Sequence, residues 1–203
     1  MHTFTPYEKD LINGGFRLIA GVDEAGRGPI AGPVVAAAVI FLPGIDIPGV
    51  NDSKSLKPTK REELADEIKS QALSWAVGVA STSEIDCWNI LNAAHLAMKR
   101  AVSSLKPEPA LCLVDGYPIP AWEQLHRGII KGDCICFTIA AASIIAKVHR
   151  DEMMLELHRQ YPQYGFDRHK GYPTKMHRRM IEIYGPSPVH RMTFKLLPDE
   201  KPS

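Results

Sequence analysis

The chain has 203 residues, 45% hydrophobic and 23% charged, with a formal net charge of +1. That length buries roughly 70% of the unfolded surface, enough for one domain with a core, and the near-average composition excludes a disordered chain, a collagen and a coiled coil. The longest apolar runs, Val34 to Leu42 and Phe137 to Ala146, fall short of the roughly 18 to 20 residues a membrane span needs.

Taken in chain order, the segment before Arg17 carries Glu8 and Asp10 and no apolar stretch. It is expected to be loose and to hold no signal peptide, which makes the cytoplasm the expected compartment. Arg17 to Val22 reads as a short strand that runs into acids and glycines. Val34 to Leu42 reads as a strand buried on both faces, because its apolar run is nearly continuous. Pro58 opens a helix carrying Leu64, Ala65 and Ile68, and Trp75 to Ala80 reads as a third strand. A long helix begins near Ser83, where Ser81-x-x-Glu84 has the form of a capping box. Its stripe of Ile90, Ala94, Ala97, Met98, Ala101 and Leu105 has helical spacing, and Pro107 and Pro109 stop it. Leu111 to Val114 and Gly128 to Lys131 read as the last two strands. A second long helix covers about Thr138 to Gln160, with Phe137, Ala141, Ile144, Ile145 and Val148 on its apolar face. A final helix covers about Thr174 to Tyr184, closed by Gly185-Pro186. Strands come mostly first and helices last, the order of a mixed sheet with helices packed on it. Residues 1–203 read as one domain, with its core at about 17–194 and a loose tail after it.

The four cysteines, at 87, 112, 134 and 136, are too few and too closely set for a disulfide framework or a zinc knuckle. They read as reduced thiols packed as small hydrophobes. The small net charge hides an asymmetry. Residues 1–144 hold 13 lysines and arginines against 16 acids, whereas residues 145–192 hold 9 against 5. Arg168, Lys170, Lys175, Arg178 and Arg179 fall in one stretch around Tyr172 with no acid among them. Such a stretch is what a phosphate-backbone partner calls for, though taken alone it reads first as a solvated basic face. Lys147 and Arg150 are expected to pair with helix acids such as Asp151, and Ser143 to be packing.

Most acids sit on helix faces, but four do not. Asp23 and Glu24 close the first strand, Asp115 closes the fourth, and Asp133 follows the fifth. Carboxyl ends of strands are where α/β sheets place ligands. Four carboxylates brought together repel one another unless divalent cations neutralise them, and all-oxygen ligation suits Mg²⁺ or Mn²⁺ rather than zinc. Asp-Gly is also ordinary turn chemistry, so Asp115-Gly116 and Gly132-Asp133 have a structural reading as well. By itself the pattern stops at a metal-dependent hydrolase or transferase acting on phosphate.

Longer motifs go further. Asp23-Glu24-Ala25-Gly26-Arg27-Gly28-Pro29, the run Ala31 to Val39, Asn51-Asp52-Ser53-Lys54, Val114-Asp115-Gly116, Lys131-Gly132-Asp133, the helix Ile139 to Asp151, His169-Lys170-Gly171-Tyr172-Pro173-Thr174 and Ser187-Pro188-Val189-His190-Arg191 together resemble bacterial ribonuclease HII, over residues 17 to 194. The resemblance implies an α/β, ribonuclease H-like fold, with a five-stranded mixed sheet flanked by helices and a helical C-terminal part. It implies an endonuclease that cuts the RNA strand of RNA/DNA hybrids and incises 5′ to single ribonucleotides embedded in duplex DNA. It places the acidic residues on Asp23, Glu24, Asp115 and Asp133, and the substrate contacts on Gly26, Arg27, Gly28 and Tyr172. Lys54 is a candidate phosphate contact, and Lys170 joins the substrate-binding set. The expected chemistry is two-metal phosphodiester hydrolysis with Mn²⁺ or Mg²⁺, leaving 5′-phosphate and 3′-hydroxyl ends. Asp23 and Asp115 are the best candidates to contact both ions or the central one, with Glu24 and Asp133 each completing one side. Thr193 departs from the serine expected after the His-Arg pair, without consequence for the chemistry. Ribonuclease HIII fits less well, since the roughly 16 residues before the first strand leave no room for its extra domain. Nucleic acid is the expected partner, with no membrane, no sliding-clamp motif and a monomer as the default. The rival readings are another metal-dependent nuclease or strand-transfer enzyme of the same fold, and a non-catalytic nucleic-acid-binding module.

Overall fold

The computed structural model describes residues 3–50 and 57–198; the Asn51-Asp52-Ser53-Lys54 motif, and with it Lys54, lies outside them. The strands are β1 (Ile19–Ala25), β2 (Val34–Ile40), β3 (Ser74–Ala80), β4 (Leu111–Asp115) and β5 (His126–Ile129). The helices are α1 (Pro6–Asn13), α2 (Pro58–Gln71), α3 (Thr82–Ser103), α4 (Phe137–Gln160), α5 (Phe166–His169) and α6 (Lys175–Tyr184).

The strands form one sheet in the order β3-β2-β1-β4-β5. The β1–β2 and β2–β3 pairs are antiparallel, and the β1–β4 and β4–β5 pairs are parallel. Every residue of β2 is buried, because both faces of the strand are covered. Ala36, Ala38 and Ile40 face α3 through Ala94, Ala97 and Ala101. Ala37 and Val39 face α4 and α2 through Ala141, Ile145, Leu64 and Ile68. Gly21 on β1 is required by close approach: a Cβ there would run into the backbone of Thr138 at the start of α4. A further cluster of Ile30, Ala31, Met154, Tyr164, Phe166 and Ile181 joins the loop after β1 to the C-terminal helices.

Several boundaries depart from expectation. The fifth strand is His126–Ile129 rather than Gly128 to Lys131, since Lys131 adopts a left-handed φ of 57° that no strand tolerates. Helix α3 is bent at Asn89, whose φ is 64° and whose side-chain oxygen accepts from the amides of Leu91 and Asn92. Ser81 and Glu84 form the capping box that their spacing suggests.

The N-terminal segment is not loose. Thr5 and Glu8 form a second capping box, and Glu8, fully buried, reaches across to α4. It accepts from the amides of Phe137 and Thr138 at 3.0 and 2.9 Å and from the Thr138 hydroxyl at 2.7 Å. A carboxylate at a helix N-terminus meets unpaired donors and the positive end of the dipole. Cys112 and Cys136 are buried, and burial pushes both thiols up to about 12. Cys87 and Cys134 are exposed instead. Among the described residues no helix is long and apolar enough to cross a membrane.

Candidate active site at the carboxyl edge of the sheet

Strand pairing assembles the acids. Val22 is in register with Val114 across the parallel β1–β4 pair, so Asp23 and Asp115 leave the sheet side by side. Asp23 and Glu24 alternate across it, as successive strand residues must. Asp23 is on the α4 side, where the Ser143 hydroxyl acts to lower the pKa of its carboxyl. Glu24 lines a cleft with Leu91, His95 and Met98 of α3. Asp115 Oδ1 accepts from the Gly132 amide at 2.6 Å. Asp133 follows Gly132 in a short 3-10 turn and is buried. Gly132 therefore ties Asp115 to the turn that carries Asp133.

The acids strain against one another. Burial, the Glu24 charge and the Asp115 charge all push the Asp23 carboxyl well above its ordinary value. The Ser143 hydroxyl and the Glu24 amide, which donates to Asp23 Oδ1 at 2.7 Å, oppose them. Burial also raises Glu24, opposed chiefly by Arg27, whose Nη1 lies 3.2 Å from Glu24 Oε1. An all-oxygen donor set, with Asp23 and Asp133 buried and Glu24 and Asp115 partly so, in which burial and neighbouring carboxylates raise Asp23 and Glu24, fits a hard divalent cation. Among the described residues no three acidic, imidazole or thiol groups are already gathered as a metal cage. The carboxylates sense one another without forming a closed shell of ligands.

A cleft of about 330 Å³ opens beside these acids, lined by Glu24, Gly26, Arg61, Ser143, Lys147, Arg150 and Tyr172. Gly26 has a φ of 100°, a region open to glycine. Its missing Cβ leaves room for the Arg150 side chain, which a Cβ would strike. Arg150 is buried and does not bond Asp151 as expected. Its Nε donates to Pro33 O, Nη1 to Lys170 O and Nη2 to Ala31 O. Lys147 does pair with Asp151. Ser143 is no mere packing residue, since it touches Asp23; no spacing on α4 announces this, because the contact needs the helix seated on β1. His95 and Tyr117, also missed, border the cleft shared by Glu24, Arg27 and Asp115.

Tyr172 is 45% exposed, and its Cε1 lies 3.5 Å from where a Cβ on Gly28 would stand. The two substrate-binding candidates from distant segments thus meet. The Lys170 ammonium donates to Asp167 O at 2.6 Å. In the basic stretch Arg178 binds Leu196 O and Arg179 pairs with Glu182, which leaves Arg168 and Lys175 exposed. The Thr193 hydroxyl donates to Asp86 at 2.7 Å, a bond a serine could also make.

A mixed five-stranded sheet with acids at the ends of its first and fourth strands defines a ribonuclease H-like protein. The Ribonuclease HII family profile matches residues 20–197. Curated ribonuclease HII proteins from Bordetella avium and Caldicellulosiruptor bescii are 55% and 50% identical. They align with 87% and 92% of this chain, and with 87% and 91% of their own lengths. The ribonuclease H2 structure from Pyrococcus horikoshii superposes with a TM-score of 0.72 at 29% identity, covering 88% of this chain and 94% of that one. The ribonuclease HIII in complex with Mn²⁺ superposes at 0.69 with 21% identity, over 95% of this chain and 71% of that one, a likeness of fold. The chain belongs to the ribonuclease HII family. It is a type 2 ribonuclease H, an endonuclease that hydrolyses the RNA strand of RNA/DNA hybrids.

Proposed function

We propose that Asp23, Glu24, Asp115 and Asp133 form the catalytic centre, and that the enzyme incises 5′ to a single ribonucleotide embedded in duplex DNA in the cytoplasm. Asp23 and Asp115 would hold two divalent cations, Mn²⁺ or Mg²⁺, with Glu24 and Asp133 completing one side each. Bound there, the cations would supply an activated water and stabilise the departing 3′ oxygen, giving 5′-phosphate and 3′-hydroxyl ends.

The observation that carries the selectivity is the meeting of Tyr172 with Gly28 beside the cleft that Glu24 lines. A 2′-hydroxyl both donates and accepts, and the Gly26-Arg27-Gly28 backbone offers both functions next to the acids. Tyr172 presents an exposed ring to stack on the adjoining sugar or base and a hydroxyl to donate. Arg27 holds Glu24 in place. Lys54, Lys170 and the exposed Arg168 and Lys175 would contact phosphates along the duplex.

The test is single-turnover cleavage, with Mn²⁺ or Mg²⁺, of a duplex carrying one ribonucleotide, an all-DNA duplex and a long RNA/DNA hybrid, with product ends mapped. Cleavage of the first and third but not the second is expected. On the first, rates should rank wild type, Tyr172→Phe, Tyr172→Ala. Phenylalanine loses only the hydroxyl, whereas alanine also loses stacking worth about 1–3 kcal/mol. Cleavage of the all-DNA duplex would favour a strand-transfer enzyme instead. Binding without cleavage, in any cation, would favour a non-catalytic module.

A further inference from the structure

Behind Tyr172 lies a row of buried histidines that the cleavage chemistry leaves unused. His177 and His190 are 0% and 1% exposed. Their Nε2 atoms are 3.0 Å apart, and the hydrogen bonds at the two ends fix where each proton sits. The Ser187 amide, which can only donate, lies 2.9 Å from His190 Nδ1. That nitrogen is therefore an acceptor, and the proton of a neutral His190 is on Nε2. Two nitrogens at 3.0 Å share one proton, so His190 Nε2–H donates to His177 Nε2. The proton of His177 is then on Nδ1, which faces the Tyr172 carbonyl at 2.9 Å, a group that can only accept. The chain runs in one direction, from the Ser187 amide through His190 and His177 to the Tyr172 carbonyl.

The rest of the surroundings hold this chain in place. The Tyr172 carbonyl also accepts from the Thr174 amide at 2.8 Å, and the Tyr172 amide donates to His169 O at 2.9 Å. The His169 ring stacks on His177 with centroids 4.3 Å apart. His190 is bridged to Ala31, and the Gly171 carbonyl accepts from the Ile30 amide at 2.9 Å. Both ends of the chain are thus fastened to the segment that follows Gly26-Arg27-Gly28. Arg191, the residue after His190, donates to the carbonyls of Gly26 and Arg27.

We propose that His177 and His190 are positioning residues, which set the Tyr172 ring against Gly28 and so register the two halves of the ribose-reading site. The proposal rests on the reading of Tyr172 and Gly26-Arg27-Gly28 as that site. The histidines touch no substrate and act through the Tyr172 backbone. Asparagine at 177 can place its amide nitrogen near the position of Nδ1 and keep the bond to the carbonyl. Phenylalanine keeps the ring and loses every hydrogen bond.

The experiment is a double-mutant cycle read by single-turnover cleavage of the one-ribonucleotide duplex at saturating enzyme. His177→Phe and His190→Phe should each slow cleavage about tenfold, within the roughly hundredfold that a 1 Å misplacement can cost. His177→Asn should recover most of the loss. In a Tyr172→Ala background His177→Phe should add nothing. A full, additive loss in that background would overturn the positioning role while leaving Tyr172 as the reader. No loss from Tyr172→Ala itself would overturn the reader and the positioning role together. Nitrogen-15 spectra of the wild-type imidazoles at neutral pH give a second measurement that needs no variant to fold. His177 protonated on Nδ1 and His190 on Nε2 are expected. His177 found in the Nε2–H form, or charged, would overturn the chain.

Discussion

Arg191 Nη2 donates to the carbonyl of Gly26 at 2.6 Å, across 165 positions of sequence. The same guanidinium binds the carbonyls of Arg27, Gly32 and Pro33. Among the described residues no carboxylate is hydrogen-bonded to it. Burial first, and then the charge of Arg150, pull its pKa down to about 9. Arg191→Met should therefore leave several buried carbonyls short of donors, at about 1–3 kcal/mol for each group left unsatisfied. A denaturant midpoint lowered by a clear margin is expected. An unchanged midpoint would mean that water replaces the guanidinium at little cost.

Asp115→Asn keeps the shape of the side chain and removes one negative charge beside Asp23, whose carboxyl burial, Glu24 and Asp115 already push up. Cleavage should fall below a tenth of wild type at saturating cation, a loss above about 1.4 kcal/mol. Without cations the melting temperature should rise, because the crowding is relieved. Retention of more than a tenth of the turnover would remove Asp115 from the catalytic set.

The buried histidines make stability depend on pH. Burial, chiefly, lowers His177 and His190 to about 4, against about 6.5 in an unfolded chain. Between those values the unfolded state binds more protons, so stability rises with pH. The stabilisation is complete above about pH 6.5 and is lost as pH falls towards 4. Thermal melting across that window should show the decline, and His177→Asn should make it shallower. An identical decline in that variant would assign it to other groups.

Glu8 lies before the segment matched by the family profile, yet it receives both amides that open α4. Glu8→Ala should cost about 2–4 kcal/mol, from two buried amides left without an acceptor and one lost cap. Equilibrium unfolding measures it. A cost under about 0.5 kcal/mol, the range of ordinary surface changes, would show that α1 does not hold the helix. Cleavage at low temperature should survive, because the hydrogen bonds of Glu8 go to Thr5, Phe137 and Thr138 rather than to the four acids.

The basic stretch divides by what each cation already holds. Arg168 and Lys175 are exposed, so alanine at either should lower the salt slope of duplex binding by about one. Arg178 holds the Leu196 carbonyl at 2.8 Å, so Arg178→Ala should cost stability and leave the slope unchanged. Salt titrations of binding to duplexes of differing sequence would separate the two. A reduced slope for Arg178→Ala alone would reverse the assignment.

Much of this molecule is decided locally. The burial of β2, the capping box of Ser81 and Glu84 and the stripe of α3 follow from nearest-neighbour chemistry and period, and all are visible along the chain. So are Asp23, Glu24 and Asp115, since an acid that closes an apolar strand stands out against acids on solvated helix faces; Asp133 lies in a 3-10 turn past the end of the fifth strand, and only the Gly132 amide on Asp115 shows how it is tied to them. The capping box of Thr5 and Glu8 is equally local, but the acceptor role of Glu8 is not: it serves amides 129 and 130 positions away. The roles of Ser143, Arg150, Arg191, His177 and His190 belong to the tertiary structure alone. Each depends on a partner that only packing brings near, most often a backbone carbonyl, which every residue carries and which leaves no mark in a sequence.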